Sequence, residues 1–155
     1  MRSARSWNAA GEAMSLRTDI PIEALAAKAH IGLPALLGLE VVRVAESALD
    51  MRVAIQPHLL APNGYLHAAS VIALADTACG FACIAHLPEG AENFTTIELK
   101  TNFLGTATSG TMLAQARPLH LGRTTQVWDA TISHVESGRT IAEFRCTQLV
   151  LWPKR

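Results

Sequence analysis

Residues 63–87, NGYLHAASVIALADTACGFACIAHL, decide the fold. Asn63-Gly64 is a turn signal, and after it the chain runs for about twenty residues without proline. Val71, Ile72, Leu74, Ala75, Ala78, Phe81, Ala82, Ile84 and Ala85 cover nearly every direction of a helical wheel. A helix apolar all round is a buried helix. Gly80 weakens it slightly and permits the close approach of another backbone. Within this run stands a single acid, Asp76. An unpaired carboxylate in apolar surroundings costs several kcal/mol, so it needs a partner, a proton or a part in chemistry. The plain alternative is an Asp on a helix surface or at a subunit contact.

The surroundings of Asp76 sharpen the choice. His67 stands at the expected first turn of the helix, where free backbone N–H groups and the positive end of the dipole favour negative charge. A turn into such a helix start is suited to hold an oxyanion in acyl transfer. From Ala68 to Asp76 is eight residues, roughly 12 Å of helix rise. One substrate carbonyl cannot touch both in the same protomer. Either the two are unrelated, or a second copy of the helix runs antiparallel alongside and supplies the partner.

Outward from this stretch, the 155 residues carry zero formal net charge and are half apolar. That allows a real core and supplies no electrostatic reason to expect nucleic acid as a partner. No window is expected to cross a membrane, since the buried helix carries Asp76 and His86. Cys79, Cys83 and Cys146 lack metal-ligand spacing, so no metal site is expected; they read as small core residues in a reducing, cytoplasmic setting. Residues 1–19, with Arg2, Arg5 and Arg17 among Ser and Ala, are expected to form a flexible N-terminal extension. A single domain is expected over 20–155.

Pro21 followed by IEALAAKAH predicts a short helix ending near Gly32. LEVVRVAES and LDMRVAIQP alternate in hydrophobicity and predict a hairpin turning around Ser47. After the long helix come four more strand-like segments, TTIELKTNFL, TMLAQARPLHL, RTTQVWDATISHV and TIAEFRCTQLVLW, with turns at 105–110 and 136–138. One long helix with a mostly antiparallel sheet of about six strands is an α+β layer solution.

The chain from about Leu33 to Leu151 resembles the hotdog-fold acyl-CoA thioesterases, the phenylacetate-pathway and 1,4-dihydroxy-2-naphthoyl-CoA types among them. The likeness rests on His67-Ala68-Ala69 with Asp76, in LADTA, nine residues after the His. TTIELKTNFL, PLHLGRTTQVW and GRTIAEFRCTQLVL follow in the family's order. The resemblance implies a central helix wrapped by the sheet and hydrolysis of an acyl-CoA thioester to acid and CoA. It assigns Asp76 as nucleophile or general base, the Ala68 N–H as oxyanion donor, and His67 to orient the site or contact the thioester oxygen. Thr77 would bond the carboxylate or place water, or else serve as a cap or core residue. His120, Gly122 and Arg123 match a segment that lines the pantetheine and nucleotide channel, and Arg123 suits a phosphate. No cofactor is implied beyond the CoA of the substrate. A homodimer at minimum, and a homotetramer beyond it, is implied, with each site shared between protomers.

Two departures from the family stand in the sequence. The Asn or Gln expected six residues before the motif His is Ala61, with Asn63 and Gly64 close by as replacements that would contact substrate. The His-Gly-Gly motif has become His-Ala-Ala. These changes favour, as an alternative, a hotdog protein that binds acyl-CoA without turning it over. A third alternative, a hotdog hydratase or dehydratase, would use His67 and Asp76 together. Phe81, Phe94, Phe103 and Trp128 are candidates to wall an aromatic acyl pocket, or simply core, and resemblance favours an aromatic or medium-chain acyl group.

Overall fold

The computed structural model describes residues 15–17 and 19–154. Two short helices, α1 (Ile22–Lys28) and α2 (Gly32–Leu37), lead into the hairpin β1 (Glu40–Ala45) and β2 (Ala48–Ala54). A 3-10 turn at Pro57–Leu59 precedes the long helix α3 (Ala68–Ala85), and β3 (Asn93–Phe103), β4 (Thr111–Leu121), β5 (Thr125–His134) and β6 (Thr140–Leu151) complete the chain. All neighbouring strands pair antiparallel, in the order β1-β2-β4-β5-β6-β3. β3 therefore crosses to the far side of the sheet and leaves one of its edges unpaired among the described residues. The sheet wraps α3, which is the hotdog arrangement that the resemblance implies.

Side-chain size explains the close wrapping. Along β4, β5 and β6 the residues turned inward alternate, with Met112, Ala114, Ala116, Trp128, Ala130, Ile132, Phe144 and Cys146 buried. The alanines leave a trough, and helix residues of similar size, Ala75, Ala78, Cys79, Ala82 and Cys83, settle fully buried against it. Close packing of this kind makes every methylene in the layer count.

The helix is not buried all round, contrary to the wheel. Ala68 and Ala69 are exposed, and Ile72, Ala73, Asp76, Thr77, Phe81 and Ile84 are half-buried. Their three-and-four spacing marks one stripe along α3, left open because the sheet covers the opposite side. Gly80 likewise differs from expectation. The group that approaches it is the Phe94 ring of β3, whose Cζ lies 2.7 Å from where a Cβ would stand. A second correction concerns membrane length: α3 has 18 residues and a mean hydropathy of 1.8, long and apolar enough to cross a membrane by composition alone. A helix sheathed by sheet needs the same composition, and 56% of that window is buried inside the fold.

A third correction lies before the sheet. Gly32 does not end the first helix but opens α2, and Gly38 closes α2 at φ 73°, the left-handed conformation that glycine adopts without cost. The expected flexible extension falls, for residues 1–14 and 18, outside the described residues. Leu16 N–H donates to Glu46 Oε2 (3.0 Å) and Arg17 N–H to Ala85 O (2.8 Å), so this part of the segment is tied to the β1–β2 turn and to the end of α3.

Both ends of α3 are fastened by polar contacts. At the C-terminal end, buried Gln126 donates from Nε2 to His86 O (2.8 Å) and accepts from Trp128 Nε1 (2.9 Å). His86 Nδ1 donates to Ala82 O (2.8 Å) while Nε2 accepts the Ser47 N–H (3.1 Å). Both ring nitrogens are engaged in the neutral form, and burial pushes the His86 pKa down. At the N-terminal end, His67 N–H and Ser70 Oγ both donate to Leu59 O, at 3.0 and 2.9 Å.

Candidate active site

Asp76 sits on the open stripe, midway along α3, half-buried. Thr96 of β3 donates from Oγ1 to its Oδ1 at 3.2 Å. Burial raises the Asp76 pKa above the ordinary carboxylate value, and the Thr96 hydrogen bond opposes that rise. A carboxylate so placed holds a proton more readily than a solvated one, which suits general-base work near neutral pH. The Thr96 hydroxyl also lies 2.9 Å from Oε1 of Gln148, which is fully buried on β6. Thr96 reaches the helix because β3 and β6 pair Thr96 with Gln148, and the register shift between Thr96 and Glu98 follows immediately. A bulge at such a place re-aims side chains beside a site.

Neither Thr96 nor Gln148 is singled out by the sequence. Thr96 is twenty residues from Asp76 and Gln148 a further fifty-two from Thr96. Only the inward alternation of FTT and CTQ hints at them.

The helix start falls at His67. His67 caps α3: its Nδ1 accepts the Ala69 N–H at 3.0 Å. That contact requires Nδ1 to be unprotonated, so the neutral ring carries its proton on Nε2. His67 is exposed, and among the described residues the Ala68 N–H has no partner. Two donors, the Ala68 amide and His67 Nε2–H, are thus available at the positive end of an 18-residue helix. The preceding loop is a compact turn in which Ala61 N–H donates to Tyr65 O (2.7 Å) and Gly64 N–H to Ala61 O (2.8 Å). Asn63 Oδ1 accepts the Tyr65 N–H at 3.2 Å, and Gly64 takes φ 85°. The Asn63 oxygen therefore closes its own turn, and its amide N–H groups remain exposed. Thr77 is half-buried beside Asp76 and makes no side-chain hydrogen bond among the described residues.

His120, Gly122 and Arg123 gather at the β4–β5 hairpin. Gly122 N–H donates to Thr125 O at 2.9 Å. The Arg123 guanidinium lies over the Trp152 ring, 4.2 Å from its centroid, and Trp152 Nε1 donates to Arg123 O at 3.2 Å. The hairpin borders the C-terminal end of α3, because Gln126 bonds His86 there. Asp76 to His86 is ten residues, about 15 Å of rise. A single chain therefore brings Asp76 together with Thr96 and Gln148, but keeps His67 and Ala68 at one end of α3 and the Arg123 hairpin at the other.

The three cysteines are free and buried. Burial pushes the Cys79 and Cys83 thiols up, so both stay protonated and unreactive. Among the described residues no group of three or more His, Cys, Asp or Glu is placed to hold a metal ion.

Similarity to known proteins shows the family. Residues 63–141 match the family model described as the thioesterase superfamily. The 1,4-dihydroxy-2-naphthoyl-CoA hydrolase of Listeria monocytogenes is 28% identical over 117 residues, which are 76% of this chain and 94% of that one. The enzyme of the same name from Escherichia coli K12 is 26% identical over 141 residues, 89% of this chain and all of that one. A thioesterase from Pseudomonas aeruginosa, solved as a point mutant, superposes with a TM-score of 0.82 at 28% identity, covering 88% of this chain and 97% of that one. The chain is a hotdog-fold member of the thioesterase superfamily, a family of thioester hydrolases.

Proposed function

We propose that this protein hydrolyses an acyl-CoA thioester with Asp76 as general base. The observation that carries the proposal is a half-buried carboxylate, with raised proton affinity and a hydroxyl partner, on the open stripe of the helix. Asp76 takes a proton from water, and the water oxygen bonds to the thioester carbonyl carbon. The carbonyl oxygen becomes an oxyanion, held by the Ala68 N–H with His67 Nε2–H beside it. As the oxyanion collapses, the C–S bond breaks and the CoA thiolate receives the proton from Asp76. Acid and free CoA leave, and no cofactor takes part. Arg123 serves a CoA phosphate, at a distance from Asp76 that the pantetheine arm spans, with His120 and Gly122 lining the way. Thr77 and the free amide of Asn63, with Gly64, border the thioester.

The oxyanion donors and the base come from different protomers. Roughly 12 Å of rise separates Ala68 from Asp76 on one helix, and an antiparallel second copy would bring each beside the other's partner. Two surfaces support this. The stripe on α3 is open, and β3 is an eleven-residue edge strand carrying exposed Ile97 (56%), Leu99 (40%) and Phe103 (47%). Such an edge is a liability unless another strand covers it. Association of two dimers into a homotetramer, and a cytoplasmic location in keeping with three free thiols, complete the proposal.

The test is thiol release from a panel of aromatic and straight-chain acyl-CoAs by the wild type and by Asp76→Asn. Release by the wild type, lost by several orders of magnitude in the folded variant, is the expected result. Tight binding without release would mean a non-catalytic acyl-CoA protein, and hydration of enoyl-CoA without release would mean a hydratase.

A further inference from the structure

We infer that Gln148 is a positioning residue for Asp76, acting through Thr96 in a hydrogen-bonded relay that is complete in both charge states of the carboxyl group. This rests on the proposed role of Asp76 and extends it into the core. Thr96 Oγ1 lies 3.2 Å from Asp76 Oδ1 and 2.9 Å from Gln148 Oε1. Both neighbours accept, yet a hydroxyl has one proton and serves one of them at a time.

The remaining contact resolves this. Gln148 Nε2 donates to Cys146 Sγ at 3.3 Å, and a thiol both donates and accepts weakly. When Asp76 is protonated, its O–H donates to Thr96, Thr96 donates to Gln148 Oε1, and Gln148 Nε2 donates to Cys146. When Asp76 is ionised, a half-turn of the Gln148 amide reverses each bond. Cys146 S–H then donates to Oε1, Nε2 donates to Thr96, and Thr96 donates to the carboxylate. The amide nitrogen and oxygen are nearly equal in size, so the half-turn requires no repacking around the fully buried Gln148 and Cys146. A general base changes charge twice per turnover, and a surrounding that is satisfied in only one state would oppose one of the two steps.

Among the described residues no other charged group competes for the carboxyl. On its own helix the nearest titratable neighbour is Cys79, whose thiol stays protonated. On β6 it is Cys146. On β3, Glu98 accepts from Thr147 at 3.2 Å and Lys100 is bonded to Asn102, and the exposed neighbours Asp129 and Arg145 pair with each other on the outer face.

The experiment measures kcat and KM against pH for the wild type, Gln148→Met, Thr96→Val and the double variant, on the best substrate of the acyl-CoA panel. Gln148→Met keeps the bulk and removes the amide. It is expected to lower kcat roughly tenfold, the worth of one hydrogen bond coupled to a charge, with KM unchanged. In the ionised state Thr96 then loses the Nε2 donor behind it and its bond to the carboxylate weakens, so the acid limb of kcat moves to higher pH. In the Thr96→Val background the same change is expected to do nothing further. An unchanged kcat and pH profile in Gln148→Met, or a full tenfold loss that persists in the double variant, overturns the relay. Should Gln148→Met fail to fold, Cys146→Val removes the far end of the relay and is expected to lower kcat in the same direction; no change there overturns it equally. If the wild type releases thiol from no acyl-CoA, the functional proposal fails. Carboxyl NMR titration of Asp76 in wild type and Gln148→Met then decides the relay by itself, an identical titration overturning it.

Discussion

Replacing Thr96 by Val tests the link between the burial of Asp76 and its chemistry. The substitution is nearly isosteric and removes the Thr96 hydrogen bond that favours the ionised carboxyl, while leaving in place the burial that disfavours it. A neutral donor on a charged acceptor contributes about 1.5–3 kcal/mol in general. Here the bond is long at 3.2 Å, and water reaches the half-buried carboxylate, which reduces the value. The low end applies, about 1.4 kcal/mol, which is tenfold in the ionisation equilibrium. The reactive form is the carboxylate, so Thr96→Val shifts the acid limb of kcat/KM to higher pH. On that limb the loss exceeds by about tenfold the loss on the plateau, where both enzymes are ionised and the variant lacks only the relay to Gln148. The assay is thiol release under kcat/KM conditions at a series of pH values, with the fold checked by circular dichroism. A parallel loss at every pH, or an acid limb that does not move, would refute the assignment of Thr96 as the partner that tunes Asp76.

Asp76→Asn should abolish turnover and also raise thermal stability at neutral pH, as measured by calorimetry. The folded-state pKa of Asp76 is raised, so its contribution to stability is fully present below the unfolded-state value and is lost as pH rises through the folded one; the variant's advantage should therefore vanish in acid. Arg123→Ala should raise KM with little change in kcat, the mark of lost uniform binding, and a truncated thioester without the nucleotide should be indifferent to it. Equal losses on both substrates would make Arg123 structural, through its stacking on Trp152. Mixing Asp76→Ala chains with Ala68→Pro chains should restore activity through one intact site in each mixed dimer. Verified heterodimers that stay inactive, or an active monomeric wild type, would end the shared-site model.

What the sequence determined by itself is what local periodicity encodes. The apolar run around Asp76 became α3, the alternating segments on either side of Ser47 became the β1–β2 hairpin, and TMLAQARPLHL became β4 over the same residues. The nine-residue step from His67 to Asp76 located the acid and the helix start, because both lie on one continuous element. Gly32 misled, since a glycine before a short helix and one after it carry the same local signal; Gly38, at φ 73°, is the one that closes α2. The open stripe on α3 was equally out of reach, because the wheel records which residues are apolar and not which side the sheet covers. The partners of Asp76 depended on tertiary structure throughout. Thr96 meets the carboxylate only because β3 crosses the sheet to pair with β6, and Gln148 meets Thr96 only because that pairing falls in one register. A shift of one residue would turn both side chains to the other face, and nothing in the neighbourhood of either residue specifies the pairing that prevents it.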